Sequence, residues 1–222
     1  LFRSYLSTDA TFTKDDALVG TDDVAKLLAG QSSVETSSFT LPAGFKAGTY
    51  YVGVIADTDG TSAELNEGNN ASPGRLITIA SDLAVSAAPT LSYSGSGSTY
   101  NFSYAVGNGG MVASDATKVG IYLSADNVIT KDDQLIYLDD LQAITSGSSQ
   151  ARTGSFTMPV NVAGGTYYVG VIADNGNLVS ELNEGNNTGV GGTIKLGADL
   201  SVSNSALAVV WAGAGGNFTY TY

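Results

Sequence analysis

An internal repeat constrains this 222-residue chain more than any other feature. The segment GTYYVGVIAD at residues 48–57 recurs letter for letter at residues 165–174. The heptapeptide ELNEGNN follows at residues 64–70 and again at residues 181–187, so both pairs lie 117 residues apart. A period of this length corresponds to a whole domain and not to one unit of a solenoid. The sequence therefore predicts tandem copies of one domain.

The repeat offset also predicts where each copy begins and ends. We expect residues 1–80 to form a domain that lacks its first two strands, and residues 81–197 to form a complete domain. Residues 198–222 then correspond to the first two strands of a further copy, at 199–202 and 217–222. Because the chain opens on Leu1 without a signal peptide, we expect it to be a processed or excised part of a longer protein.

Short apolar runs bounded by Gly, Ser, Asn and Pro predict β-strands, and no segment shows a sustained helical period. The shared GTYYVGVIAD segment is apolar on both faces, which favours a central strand, and its early tyrosines are typical of a tyrosine corner. The sequence thus predicts an all-β fold of tandem immunoglobulin-like, seven-stranded β-sandwiches. Besides the shared segment, strands are predicted at residues 2–6, 17–20, 31–41 and 75–79, and at 81–85, 100–106, 119–123, 134–138, 150–158 and 192–196.

Composition narrows the possible functions. The 21 acidic residues against 9 basic ones give a net charge of −12, and such a surface repels nucleic acid and anionic lipid while attracting cations. The chain has no Cys and no His, which excludes disulfides, thiol nucleophiles, zinc sites of the usual kind and Ser-His-Asp catalysis. No apolar run is long enough for a membrane span. We therefore expect a protein that is not an enzyme and has no nucleic-acid partner and no membrane insertion.

Two oxygen-rich loops in each copy are candidate calcium sites, because calcium takes six to eight oxygen ligands. Turn formation explains the same Asp, Asn and Gly residues equally well, so both interpretations stay open. If the two loops lie at opposite ends of a domain, the first loop of one copy faces the second loop of the next, and an ion there would stiffen the joint. The candidate ligands in the first loops are Asp9, Thr13, Asp15 and Asp16, repeated at Asp126, Thr130, Asp132 and Asp133. Those in the second loops are Glu64 and Glu67 with Asp57, Asn66 and Asn69, repeated at Glu181 and Glu184 with Asp174, Asn183 and Asn186.

Four motifs occur twice and in the same order: a Leu-Ser-x-Asp-x-x-Ile/Phe-Thr-x-x-Asp loop, the GTYYVGVIAD strand, the Glu-x-Asn-Glu-x-Asn-Asn loop and an Asp-Leu-x-Val segment at residues 82–85 and 199–202. Together they resemble the CARDB family, the cell-adhesion-related domains found in bacteria. The resemblance spans nearly the whole chain. It implies an immunoglobulin-like sandwich and an extracellular structural or adhesive role on a secreted or surface protein.

The strands absent from residues 1–80 suggest how copies associate. Losing the equivalents of Phe102, Tyr104 and Val106 from a core costs roughly 5–9 kcal/mol, which is comparable to the net stability of a domain. We therefore expect residues 198–222 to complete residues 1–80 of the next molecule, or of a continuous array, in a head-to-tail filament, stalk or surface array. The alternatives are an adhesin module for a surface glycan or protein ligand, and a passive spacer beside a secreted enzyme.

Overall fold

The computed structural model describes residues 1–198 and, by backbone alone, two further strands. The described part contains β-strands and a single 3-10 turn, Glu67–Asn69, and no helix in it has the length and apolar character needed to cross a membrane. The first copy contributes β1 (Phe2–Ser7), β2 (Ala17–Asp22), β3 (Gly48–Ala56) and β4 (Arg75–Ile79). The second contributes β5 (Leu83–Tyr93), β6 (Thr99–Asn108), β7 (Thr117–Ser124), β8 (Gln134–Leu141), β9 (Ser149–Thr157), β10 (Gly165–Ile172) and β11 (Thr188–Leu196).

The second copy is the predicted immunoglobulin-like sandwich. One sheet has the order β11-β10-β7-β8 and the other the order β5-β6-β9, and every pair of neighbouring strands is antiparallel. Alternate side chains of the two sheets meet in one core, as expected for face-to-face sheets. Its fully buried members include Leu83, Val106, Val119, Ile121 and Val171.

The shared segment forms an interior strand in both copies, which confirms its predicted central position. β3 lies between β1 and β4, and β10 lies between β7 and β11. The tyrosine corner is also confirmed, since the Tyr50 hydroxyl donates to the Lys46 carbonyl at 3.1 Å and the Tyr167 hydroxyl donates to the Ala163 carbonyl at 3.2 Å. These bonds fix the chain where it enters the central strand.

The first copy differs because it forms one sheet only, in the order β2-β1-β3-β4. The prediction of a strand at residues 31–41 is wrong, since no strand forms there. Its counterpart β9 forms as predicted, and β9 obtains all its ladder hydrogen bonds from β6. Residues 1–80 contain no equivalent of β6, so the Ser/Thr-rich segment has no neighbour with which to pair.

The single sheet of the first copy leaves its inner face partly open. Val52 and Val54 are half-buried, whereas their counterparts Val169 and Val171 are 2% and 0% exposed. Phe2 shows the same difference, because it is half-buried whereas its counterpart Val119 is completely buried. In the second copy these positions are buried against the sheet β5-β6-β9. The first copy has no second sheet, so the same positions stay partly exposed.

The two copies are joined without a flexible linker. Leu6 and Ile79 of the first copy share a small apolar cluster with Val112 of the second. The Met111 amide donates to the Ala80 carbonyl at 2.9 Å, so the loop after β6 wraps the connection between β4 and β5. A Cβ at Gly110 would lie 2.4 Å from the carbonyl carbon of Ser81, which explains why glycine occupies this position.

The strands predicted for a third copy fall mostly outside the described residues. β12 (Ala208–Trp211) and β13 (Phe218–Thr221) pair antiparallel, with Trp211 opposite Phe218. β13 coincides with part of the predicted strand at 217–222. The strand predicted at 199–202 lies outside the residues that the structure describes.

Candidate functional site

Residues 181–187, here named the Glu181 loop, hold the segment that opens their own domain. The Leu83 amide donates to Glu181 Oε2 at 2.6 Å, and the Leu182 amide donates to the Ser81 carbonyl at 2.8 Å. The Asn186 Nδ2 group donates to Asp82 Oδ1 at 2.9 Å. Residues 81–83, the opening segment, also form the connection between the two copies. The loop therefore anchors the domain joint through both backbone and side-chain hydrogen bonds.

Three carboxylates converge beside this anchor. Asp174, Glu181 and Glu184 each present an oxygen within 4.8 Å of the other two. Among the residues that the structure describes, these three carboxylates form the cluster that could hold a metal ion. Asp174 follows β10 in a tight turn with a positive φ of 41°. Its carboxylate is held by the Thr117 hydroxyl at 2.5 Å and the Val179 amide at 2.9 Å. Predicted residues Glu181 and Glu184 are thus brought together with Asp174.

The cluster lacks a compensating positive charge in its hydrogen bonds. The pKa of Glu181 is raised to about 7, chiefly by burial and also by the negative charges of Glu184 and Asp174. The Leu83 amide and the Asn187 side chain act in the opposite direction, because both donate to the Glu181 carboxylate. A cation bound here would offset the repulsion among these carboxylates and would lower the pKa of Glu181.

The same loop also contains side-chain amide oxygens that have no hydrogen-bond partner. Asn187 is 6% exposed and donates from Nδ2 to Glu181 Oε1 at 3.3 Å, which places its amide against the cluster. Its Oδ1 and that of Asn186 are buried without a hydrogen-bond partner. Two oxygens that each lie 2.3–2.6 Å from one calcium ion are at most about 5 Å apart. The carboxylate spacing therefore fits a hard cation with oxygen ligands, and the neighbouring loop residues Asn186 and Asn187 hold buried amide oxygens without a partner.

The corresponding loop of the first copy, residues 64–70 or the Glu64 loop, has the same internal geometry. The Glu64 amide donates to Glu67 Oε1 at 3.3 Å, as the Glu181 amide does to Glu184. The Gly68 amide donates to Asn66 Oδ1 at 3.0 Å, and the Gly185 amide makes the same bond to Asn183. The loop conformation is thus formed in both copies, with or without an opening segment beside it.

The two loops differ in what surrounds them. Glu64 is exposed, whereas Glu181 is half-buried, and Leu65 is fully exposed whereas Leu182 is 42% exposed. The Asp57 carboxylate accepts from the Ser62 amide and from Thr61, which lowers its pKa. In the first copy the acidic side chains therefore face solvent and the loop itself, not a neighbouring segment.

The structure places the other predicted ligands in self-contained turns at the opposite end of each domain. Because β7 and β10 run antiparallel, the loop after β7 and the loop after β10 leave from opposite ends. In this turn the Asp126 carboxylate accepts from the Val128 amide at 2.8 Å, and Asp133 accepts from the Thr130 amide at 2.7 Å. The first copy repeats these contacts at Asp9 and at Asp16, with Thr13 as donor to the latter, while Asp15 and Asp132 are exposed. A role for these eight residues as calcium ligands stays a prediction.

Sequence reasoning missed several partners of the site. It did not assign Asn187 to the oxygen set, and it did not connect the Asp82 side chain and the Leu83 amide to the Glu181 loop. The recurrence of Asp-Leu-x-Val at residues 82–85 and 199–202 was the available signal. A buried network also escaped notice: the Tyr104 hydroxyl donates to Asp139 at 2.6 Å, and Arg152 donates to both oxygens of the same carboxylate. This network links the two sheets of the second copy.

The fold and its repeated loops define a protein of tandem immunoglobulin-like domains. The CARDB family model matches residues 4–73 and 80–190, and the chain belongs to this family of adhesion-related domains. No curated protein sequence matches the chain.

Solved structures similar to this chain include a CARDB domain from Pyrococcus furiosus, described in complex with di-metal ions. It is 21% identical, covers 52% of this chain and 88% of that one, and has a TM-score of 0.38. A solution structure of the same domain is 22% identical, covers 53% and 95%, and has a TM-score of 0.39. Beta-glucosidase 3B from Thermotoga neapolitana, in complex with glucose, is 17% identical, covers 55% of this chain but 16% of the enzyme, and has a TM-score of 0.36.

Proposed function

We propose that this protein is a non-catalytic structural module of a secreted or cell-surface protein, and that its copies associate head to tail. The open inner face of the first sheet carries this proposal. Val52 and Val54 remain half-buried on that face, whereas the second copy buries Val169 and Val171 beneath β5, β6 and β9. An apolar sheet face of this kind is stabilised when a second layer covers it.

The natural cover is a pair of strands equivalent to β5 and β6. Residues 198–222 carry that pair by sequence, since Asn-Phe-Thr-Tyr at 217–220 matches Asn-Phe-Ser-Tyr at 101–104. The covering strands belong to a second molecule or to an adjoining repeat of a continuous array. The fit differs at one point, because Ser72 replaces Gly189, where a Cβ would lie 2.3 Å from Val85 Cγ1. An incoming strand therefore passes Ser72 on a shifted path.

Calcium is the proposed cofactor of the Glu181 loop. The convergence of Asp174, Glu181 and Glu184 supports this choice, as do the buried, unpartnered amide oxygens of Asn186 and Asn187 in the same loop. Hard oxygen ligands favour calcium or magnesium, and calcium takes more protein oxygens than magnesium, which usually keeps several waters. Bound at this position, calcium would fix the loop that holds the opening segment and would stiffen the joint between domains.

Deletion of residues 198–222 tests the association. We expect the full chain to form concentration-dependent assemblies in sedimentation velocity and linear particles by electron microscopy. The shortened chain is expected to stay monomeric, with a less stable first domain. A Phe218→Ser variant of the full-length chain is expected to weaken assembly as well, because Phe218 corresponds by sequence to the core residue Phe102. Equal assembly of the full and shortened chains contradicts the proposal.

Thermal unfolding in calcium and in a chelator tests the cofactor. At a hundredfold excess over Kd, a ligand adds about 2.7 kcal/mol of stability, which is several degrees in Tm for a domain of this size. We expect the rise in the wild type and its loss in Glu184→Gln, whose side chain is exposed and tolerates the change. Asp126→Ala reports on the other loop in parallel. An unchanged Tm of the wild type at millimolar calcium rules the cofactor out.

A further inference from the structure

We infer that the Glu64 loop is a docking site for the opening segment of a second copy of this chain, namely residues 198–200. This inference rests on the proposed head-to-tail association and names the contact that sets its register. The starting observation is that the Glu181 loop binds residues 81–83 through three defined hydrogen bonds. The Glu64 loop has the identical sequence and the same internal hydrogen bonds, but its binding groups face solvent.

The groups that recognise the opening segment are present in the Glu64 loop. Glu181 accepts the Leu83 amide, and Glu64 is its exposed equivalent. Asn186 donates to the Asp82 carboxylate, and Asn69 is its exposed equivalent. Because the loop is already formed, docking requires little further ordering of its backbone, which favours binding.

The incoming segment offers the complementary groups in the same order. Asp199 and Leu200 stand at the positions of Asp82 and Leu83, 117 residues further along. By this correspondence, Asn69 donates to the Asp199 carboxylate and Glu64 accepts the Leu200 amide of the second copy. The Leu65 amide, equivalent to that of Leu182, donates to the Ala198 carbonyl. The occupant is thus the Ala-Asp-Leu segment at residues 198–200, recognised through its backbone and one carboxylate.

A side-chain exchange tests this assignment on the full chain. Asn69→Asp places a carboxylate against that of Asp199. We expect this change to weaken association about tenfold or more, as measured by sedimentation equilibrium. Adding Asp199→Asn restores a donor–acceptor pair with the roles reversed, so we expect the double variant to regain most of the lost affinity. The Tm of the dilute monomer reports whether Asn69→Asp disturbs folding, which its exposure makes unexpected.

The outcomes separate this inference from the proposed function. If the wild type associates and Asn69→Asp associates equally well, or if Asp199→Asn gives no rescue, the docking assignment is overturned and head-to-tail association stands. If the wild type stays monomeric at all concentrations, the proposed association itself fails, and the docking site with it. Weakening followed by rescue supports both.

Discussion

The Leu83 amide donates a 2.6 Å hydrogen bond to the Glu181 carboxylate across 98 residues of sequence. Leu83 is completely buried and begins the first strand of the second domain. The bond therefore connects the start of the second domain to a loop near the end of the same domain. It lies at the junction with the first domain. The same loop carries the acidic cluster, so the anchor of the joint and the proposed cation site share Glu181.

Replacing Glu181 by Leu tests the anchor. The variant keeps side-chain bulk but leaves the buried Leu83 amide without an acceptor, and an unsatisfied buried donor costs about 1–3 kcal/mol. We expect the free energy of unfolding of the second domain to fall by that amount in urea denaturation without added metal at about pH 5, below the raised pKa of Glu181, where relief of carboxylate repulsion does not mask the lost acceptor. Glu64→Leu is the matched control, because Glu64 is exposed and its loss is expected to change stability by less than about 0.5 kcal/mol. Equal effects of the two variants would contradict the anchor.

Two adjacent glycines of β11 test how closely β5 crosses that strand. A Cβ at Gly191 would lie 1.9 Å from the Pro89 carbonyl oxygen, whereas a Cβ at Gly192 meets nothing within 4 Å. We expect Gly191→Ala to lower the free energy of unfolding by about 1–3 kcal/mol or more, since backbone must move. Gly192→Ala is expected to stay within about 0.5 kcal/mol of wild type. Urea denaturation of the pair measures the contrast, and similar midpoints would argue against this packing.

The buried network around Asp139 predicts a defined acid sensitivity. Burial opposes ionisation of Asp139, but hydrogen bonds from Arg152 and Tyr104 outweigh it and lower the pKa of the carboxyl below its usual value. The folded state thus binds this proton less readily than the unfolded state. The resulting stabilisation is complete above the unfolded pKa of about 4 and is lost as pH falls through the lower folded pKa.

Asp139→Asn isolates this contribution. At about pH 6 we expect the variant to be less stable by about 2–3 kcal/mol, because Arg152 and Tyr104 lose a charged partner. As pH falls below about 4 the gap is expected to narrow, since protonation of the carboxyl then progressively removes this contribution from the wild type. Denaturant midpoints at about pH 6 and below about pH 4 give the comparison. A gap that is constant with pH would assign the loss to packing and not to charge.

The sequence predicted those parts of the fold that depend on local pattern. The alternation in residues 100–106 and the β-branched shared segment required only neighbours in sequence to be recognised, and both form the expected strands. Residues 31–41 have a similar strand-like composition, yet they form none, because strand formation there depends on a partner strand. Composition reports strand propensity, but pairing decides whether the strand exists.

The candidate site was predictable only in part for a related reason. Repetition of Glu181 and Glu184 marked the loop, and the structure brings these residues together with Asp174. The contact with Leu83 could not be derived from spacing, because it depends on how the loop packs against a segment 98 residues away. The unpaired oxygens of Asn186 and Asn187 likewise become evident only once burial is known.

The missing strand at residues 31–41 gives a final prediction about assembly. If strands equivalent to β5 and β6 cover the open sheet, the strand equivalent to β6 supplies the ladder partner that this segment lacks. We then expect residues 31–41 to become a strand on association, with amide hydrogen exchange slowed relative to the monomer. Residues 149–157 serve as the internal reference, since β9 is already paired with β6 and should be protected in both states. Hydrogen exchange measured by mass spectrometry at low and high protein concentration distinguishes the two. Association that leaves exchange at residues 31–41 fast would show that copies meet through a different surface.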